Sequence, residues 1–418
     1  MTTKIMILGV GSRVEYWDQN VGNAAIARPF FRKLRDRFPD AEIKTTLPFF
    51  SDLPDEYDLK TIDPIKIPKL PDAPSNEFVQ KDIEPKIADL IDSVPNESDE
   101  YKQLQDSDLV LAFNCDTFPR YSSINNILPY VIDICIAAQS DCRIVDIAGS
   151  PGPFSTTTEK LLGRTVYSRI DGVSTREDVS YRYLQDFNPD AEVVKAACPA
   201  FCLEPAGDDT AERILRQEGV SFDANMLIGL NMCRFNRVDM QDNETQALTL
   251  EDMKPTLHYL LDEFDSELVL IPHDYKIDTS GAQTGEDREI LQSYLDYLSD
   301  AGYGSRVNLL DSIYTAPELK GVVGQLDFFV SGRLHAGAAG YSQAVPTLLL
   351  AYAHKHRGFA EHYFQQDGVV ENFDRDHLLA VTKHLCQNIE YRNRVLNQRH
   401  RHVKQRVDIN FDLIEKYS

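Results

Sequence analysis

Arg333 and His335 stand one residue apart in VSGRLHAGAAG (330–340), where the apolar run QLDFFV gives way to small residues. An arginine offers a planar fork of N–H donors that matches a carboxylate or phosphate. A histidine titrates near neutrality and can give or take a proton. Gly332 permits close backbone approach to a ligand. The small residues Ala336 to Gly340 read as the start of a helix. Its first N–H groups favour an anion by about 0.3–1 kcal/mol, up to about 2 when partly buried. Together these groups suit a small anion that undergoes proton transfer. The same residue types also fit an arginine paired with a local carboxylate and a histidine capping a loop, so both readings stand at this point.

Other candidates follow apolar runs in the same way. Lys355, in Tyr352-Ala353-His354-Lys355, could add a second cation or be an ordinary surface lysine. His273 ends LVLIPH and could face a ligand or be structural. Gly152 lies in the Gly/Pro turn GSPGPF (149–154), which could present backbone N–H groups or simply turn the chain. Arg176, in STREDVS (174–180), could face a cleft or pair with Glu177 or Asp178. Ser174 or Asp178 is the candidate N-cap of the helix that follows. GVGSR near the N-terminus lacks the third glycine of a dinucleotide fingerprint, and no acid stands clearly at the end of the second strand.

What must position these residues is an alternation of apolar runs and amphipathic stretches. Strands are predicted at 4–10, across AEIKTTL, and at 108–114, 143–149, 225–232, 267–273, 306–310, 325–331 and 345–352. Helices are predicted over 22–38, 123–140, 250–264, 285–302, 315–324 and 335–344. In the first helix Ile26, Phe30, Phe31, Leu34 and Phe38 recur at helical spacing and mark one buried face. Continuous apolar strands alternating with helices indicate parallel sheets covered on both faces. Residues 51–75, rich in Asp and Pro, read as a long surface excursion, and 376–416 as a charged helical tail that packs back. We therefore expect two doubly wound α/β domains facing each other across a cleft: 1–205, 206–385 and a helical tail, 386–418. Ligands of such sheets bind beyond the carboxyl ends of the strands, which is where the candidates fall.

Length and composition agree. The chain has 418 residues, more than one core usually supports, with 42% hydrophobic and 26% charged residues. No apolar run is long enough to span a membrane, and the N-terminus lacks the design of a signal peptide. These features give a cytoplasmic expectation that leaves room for peripheral membrane contact. The net charge of −23 disfavours nucleic acid, which needs clustered cations, and reads most simply as a solvated acidic surface. Seven cysteines without a CxxC pair read as reduced thiols, and no ligand spacing suggests a metal.

Taken in order, the segments resemble the polysaccharide pyruvyl transferase family. The resemblance is strongest in DFFVSGRLHAGAAGYSQAVPTLLLAYAHKHRGF (327–359) and weaker in GSPGPF, STREDVSYRYL, CPAFCL, IGLNM and LIPH. It departs in three places. Asn20-Val21-Gly22-Asn23 resembles the family's N-x-G-D with asparagine for the acid; Cys198 replaces an acid before Pro-Ala-Phe; and Phe113 to Asp116 lack a common glycine pair. The family implies a GT-B-like pair of Rossmann-type domains, with the acceptor on the N-terminal side and phosphoenolpyruvate on the C-terminal side. It implies transfer of a pyruvyl group from phosphoenolpyruvate to the hydroxyls of a glycan or lipid-linked sugar, with no cofactor. Arg333 and His335 would be the catalytic pair, with Leu334 packing beside the donor. Gly332, Arg176, Arg234, His273, Lys355, Asn20 and Gly152 are the remaining substrate-binding candidates. A glycosyltransferase using a nucleotide sugar, with Glu318 as its ribose ligand, and a non-catalytic glycan-binding relative are the alternatives.

Overall fold

A computed structural model describes residues 2–9, 17–49, 51–64, 99–113, 124–187, 190–233, 248–277, 283–284, 286–371 and 373–418, with Pro85, Asp89, 237–238 and 245–246. Two compact units emerge. The first comprises 1–18, 30–198 and 405–418, and the second 19–29 and 199–404.

The first unit is built on a seven-stranded sheet, β1 (Lys4–Leu8), β2 (Glu42–Thr45), β3 (Leu59–Thr61), β4 (Leu109–Ala112), β5 (Arg143–Gly149), β6 (Gly172–Thr175) and β7 (Glu192–Lys195). Its order is β3-β2-β1-β4-β5-β6-β7, and all pairings are parallel. β4 is buried along its whole length, as its run LVLA requires. Helix Ile124–Ala137 packs Val131, Ile132 and Ile134 into the core with Val110 and Ile144. Phe30 stacks on Phe113 at 4.1 Å. The segment 51–75, expected as a surface excursion, contributes the edge strand β3 within its described part. Asn114 to Asp116 lie outside the described residues, as do Val10 to Arg13 of GVGSR.

The second unit holds a six-stranded sheet, β8 (Met226–Asn231), β9 (Ser266–Leu270), β10 (Val307–Leu309), β11 (Phe328–Ser331), β12 (Thr347–Leu350) and β13 (Val369–Val370). It runs β10-β9-β8-β11-β12-β13, again all parallel. Strand order reverses between β8 and β11, so ligands are expected beyond their carboxyl ends. Helix Leu334–Ser342 lies close on this sheet because it is made of small residues. A Cβ at Gly337 would meet the Leu349 side chain at 2.2 Å, and one at Gly340 would meet Thr347 Oγ1 at 2.2 Å.

The charged tail forms two helices, Arg375–Cys386 and Ile389–Tyr417, rather than one. The tail packs back as expected. In the second unit Tyr363 Oη meets His400 Nδ1 at 2.9 Å, and in the first unit Lys33 Nζ donates to Asp408 Oδ1 at 2.7 Å.

Candidate functional site

The site is assembled at the strand-order reversal of the second sheet, and Asn231 at the end of β8 fixes its backbone. The Asn231 carbonyl accepts from Gly332 N–H at 2.8 Å, and its Oδ1 accepts from Arg333 N–H at 2.9 Å. Its Nδ2 donates to the Ile271 carbonyl at 2.9 Å, beyond β9. A single buried amide thus ties together three strand ends. Arg333 then occupies the N-cap position of helix Leu334–Ser342 in an extended conformation, with no side-chain cap. The first N–H groups of that helix have no intrahelical acceptors.

The Arg333 side chain lies along two acids. Its Nε donates to Asp287 Oδ2 at 2.8 Å and its Nη2 to Asp287 Oδ1 at 2.6 Å. Nη2 also donates to Asp274 Oδ2 at 3.1 Å. Nη1 has no partner among the described residues. Burial weakens the charged form of Arg333, but the facing Asp287 more than restores it, so the guanidinium stays charged. Burial pushes the Asp287 carboxyl up while Arg333 pulls it back. Asp287 also sits in the first turn of helix Glu286–Leu298, where the helix dipole favours a carboxylate. Most of the fork is thus held by protein carboxylates, the arrangement that the sequence also allowed for Arg333.

His335 is half-buried in the first turn of the same helix, edge-on to Phe359 with ring centroids 6.3 Å apart. A Cβ built on Gly22 would lie 2.4 Å from His335 Nδ1. Asn20 is close by. It forms a backbone bridge with Asp274, and its Nδ2 reaches Asp274 Oδ1 at 3.5 Å. Its Oδ1 caps the following helix by accepting from Gly22 and Asn23 N–H at 3.0 and 3.3 Å.

His273 belongs to the cluster but is only 4% exposed. Burial, reinforced by the Arg333 charge, drives its pKa down to about 3, so it is neutral at physiological pH. Leu334 is buried. Lys355 is also buried, in the first turn of helix His354–Tyr363, with Nζ 5.4 Å from the Tyr352 ring centroid. It is not the exposed surface lysine that its sequence also allowed. Arg234 lies outside the described residues.

Arg176 and Gly152 belong to the first unit. Arg176 is 1% exposed and donates from Nε to Ser150 Oγ at 2.7 Å. Ser174 lies in β6, so it does not cap the helix after it. Glu177 does, accepting from Val179 and Ser180 N–H at 2.7 and 2.9 Å. Asp178 pairs with Arg406. Gly152 has φ of 103°, and a Cβ there would meet the Tyr183 ring at 2.7 Å, so glycine is required. Glu318, the candidate ribose ligand, is instead the capping-box acid of helix Ala316–Gly324, bonded to Thr315 N and Oγ1 at 2.8 Å each.

Asp287 and Asn231 were not among the predicted site residues. Asn231 lies in IGLNM, one of the segments that carry the resemblance, whereas Asp287 reads as an ordinary acid at a helix start. Among the described residues no group of three or more His, Cys, Asp or Glu is placed to hold a metal, and no helix is long and apolar enough to cross a membrane.

Two parallel-sheet α/β units, one with a polar cluster at its strand-order reversal, define a protein of the GT-B-like class. The chain belongs to the polysaccharide pyruvyl transferase family, whose model matches residues 20–354. No curated protein matches the sequence. Solved structures share the fold at low identity. UDP-GlcNAc 2-epimerase from Neisseria meningitidis, solved with UDP-GlcNAc, is 12% identical with a TM-score of 0.61, covering 99% of this chain and 100% of its own. The S. aureus MnaA–UDP co-structure is 13% identical with a TM-score of 0.57, covering 99% and 98%. A glycosyltransferase from Rickettsia africae is 10% identical with a TM-score of 0.56, covering 100% and 98%.

Proposed function

We propose that the protein transfers a pyruvyl group from phosphoenolpyruvate to two hydroxyls of a sugar, on a glycan or lipid-linked precursor, in the cytoplasm. What carries the reading is the union of Arg333 and His335 at a strand end and helix start, inside the span matched by the pyruvyl transferase family. His335 protonates C3 of the enol, and positive character develops at C2. A sugar hydroxyl attacks C2 and its proton restores His335; the C2–O bond to phosphate breaks, and a second hydroxyl closes the cyclic ketal, its proton leaving with inorganic phosphate. The helix N-terminus and Arg333 Nη1 supply the anion's first donors, and Lys355 is the nearest-placed candidate in sequence for another. Asp287 and Asp274 hold Arg333 and limit how much positive charge it offers. No metal or cofactor takes part in this scheme.

The test is incubation with phosphoenolpyruvate and a panel of lipid-linked or nitrophenyl sugars, scored for phosphate release and a pyruvate mass gain. Phosphate release that depends on the sugar supports the reading. Turnover of a nucleotide sugar with no response to phosphoenolpyruvate overturns it in favour of glycosyl transfer.

A further inference from the structure

Gly22 is buried at the start of helix Val21–Arg37 and is 313 residues from His335 in sequence, yet the two are in contact. A Cβ on Gly22 would lie 2.4 Å from Nδ1 and 3.0 Å from Cγ of the imidazole. Real Cβ atoms do not approach that closely, so any other residue here would push the ring away. The glycine is not explained by backbone conformation, because its φ lies outside the left-handed region. It is not explained by helix propensity either, since alanine is the better helix former. What remains is the room it leaves, first for the imidazole and then for Asn20 Oδ1, which a Cβ would meet at 3.0 Å.

The approach is also fixed from the other side. Asn20 caps the helix through Gly22 and Asn23 N–H and bridges to Asp274, which in turn holds Arg333 Nη2. The helix start therefore cannot easily back away from His335 without disturbing the support of Arg333. With Nδ1 and Cγ turned to Gly22, Nε2 lies on the far side of the ring.

We propose that Gly22 is a positioning residue for His335: its bare Cα seats the imidazole and orients Nε2 for proton transfer. This rests on the reading of His335 as the general acid. Misplacing a catalytic group by about 1 Å can cost about 10²-fold in rate. Gly22→Ala should therefore lower kcat about 10²-fold, shift the pH profile of kcat, and leave the fold intact. In a His335→Ala background the same change should cost far less, because the ring is gone and Asn20 Oδ1, at 3.0 Å, is left for the new Cβ to meet. Equal losses from Gly22→Ala in both backgrounds would overturn the proposal.

A second readout does not depend on activity. The His335 ring signals, identified by their loss in His335→Ala, are followed by NMR as pH is varied. Gly22→Ala should move their shifts and their titration midpoint, and signals unchanged by the substitution would overturn the positioning role. If the ring signals move but phosphoenolpyruvate is not consumed by the wild type, the proposed reaction fails while the steric coupling stands.

Discussion

Asp287 grips Arg333 at two points, with Nε and Nη2 at 2.8 and 2.6 Å from its two carboxylate oxygens, and it does so with no solvent exposure of its own side chain. Arg333 is anchored within the protein, in line with the carboxylate pairing that the sequence left open. Positioning of the site thus depends on an acid 46 residues away in sequence.

Removing that acid should be costly. Breaking a buried ion pair leaves an uncompensated charge and typically costs about 3–5 kcal/mol. Arg333 keeps Asp274 as a second partner and 19% of its side-chain exposure, so Asp287→Asn should fall at the lower end, roughly 3 kcal/mol or less. Urea unfolding with an unchanged m-value would report this as a lower midpoint. A midpoint within error of wild type would show that the pair contributes nothing to stability.

Arg333→Lys should fail for the same geometric reason. An ammonium cannot span Asp287 through two nitrogens while also reaching Asp274. We expect lower stability and a raised KM for phosphoenolpyruvate together, measured on one preparation by unfolding and steady-state kinetics. A variant that keeps both at wild-type values would remove Arg333 from its role as support and anchor.

His335→Ala should cut turnover by about 10²–10⁴-fold, the usual contribution of a well-placed acid or base. The side chain is half-buried, so the fold should survive, and circular dichroism would confirm that. Turnover like that of the wild type would exclude His335 from the proton transfer.

Much of this arrangement was readable from the chain. Runs such as LVLA and FFV are continuously apolar because their strands are covered on both faces, and they appear where expected. β6, GVST, was not foreseen, because it is short and polar and its Ser174 hydroxyl finds its partners, Ala148 N–H and Asn410 Oδ1, only through the fold. Glu318 shows the opposite failure. It was weighed as a ligand, but Thr315 three residues earlier makes it a helix cap. Local chemistry was thus legible, whereas long-range partners such as Asp287 for Arg333 and Gly22 for His335 required the fold.

The C-terminal helix should contribute to the first unit through one buried amide. Asn410 accepts from Ser174 Oγ at 2.6 Å and donates to the Ala197 and Val407 carbonyls at 2.9 Å each. Asn410→Ala would strand the buried Ser174 hydroxyl and the Ala197 carbonyl, each worth about 1–3 kcal/mol of desolvation. Ser174→Ala removes the bond to Asn410 and the one its hydroxyl accepts from Ala148 N–H, but it leaves both carbonyl contacts of Asn410 in place, so it should be somewhat milder. Reversal of that order in thermal unfolding would count against the amide as the principal tie.

Asp146 should make stability fall as pH rises. Its side chain is fully buried in the first unit, accepting from Tyr130 and Tyr167 hydroxyls at 3.1 and 3.3 Å, while its other oxygen has no hydrogen-bond partner among the described residues. Burial raises its pKa from 3.8 to about 7, against the pull of the two hydroxyls. The folded state therefore holds this proton more tightly than the unfolded chain does. Stability from this group is fully present below about pH 4, declines as pH rises, and is lost above about pH 7. The upper bound on the loss is about 4 kcal/mol, from roughly three pKa units at 1.36 kcal/mol each. Asp146→Asn cannot ionise, and it adds a fixed cost by placing an amide where no partner waits. The diagnostic is thus the trend and not the offset: relative to wild type, the variant should gain stability between about pH 4 and pH 7 and level off above that. Urea midpoints at three pH values in that window would measure it. A constant difference across the range would mean that Asp146 ionises no differently in the folded protein than in the unfolded chain.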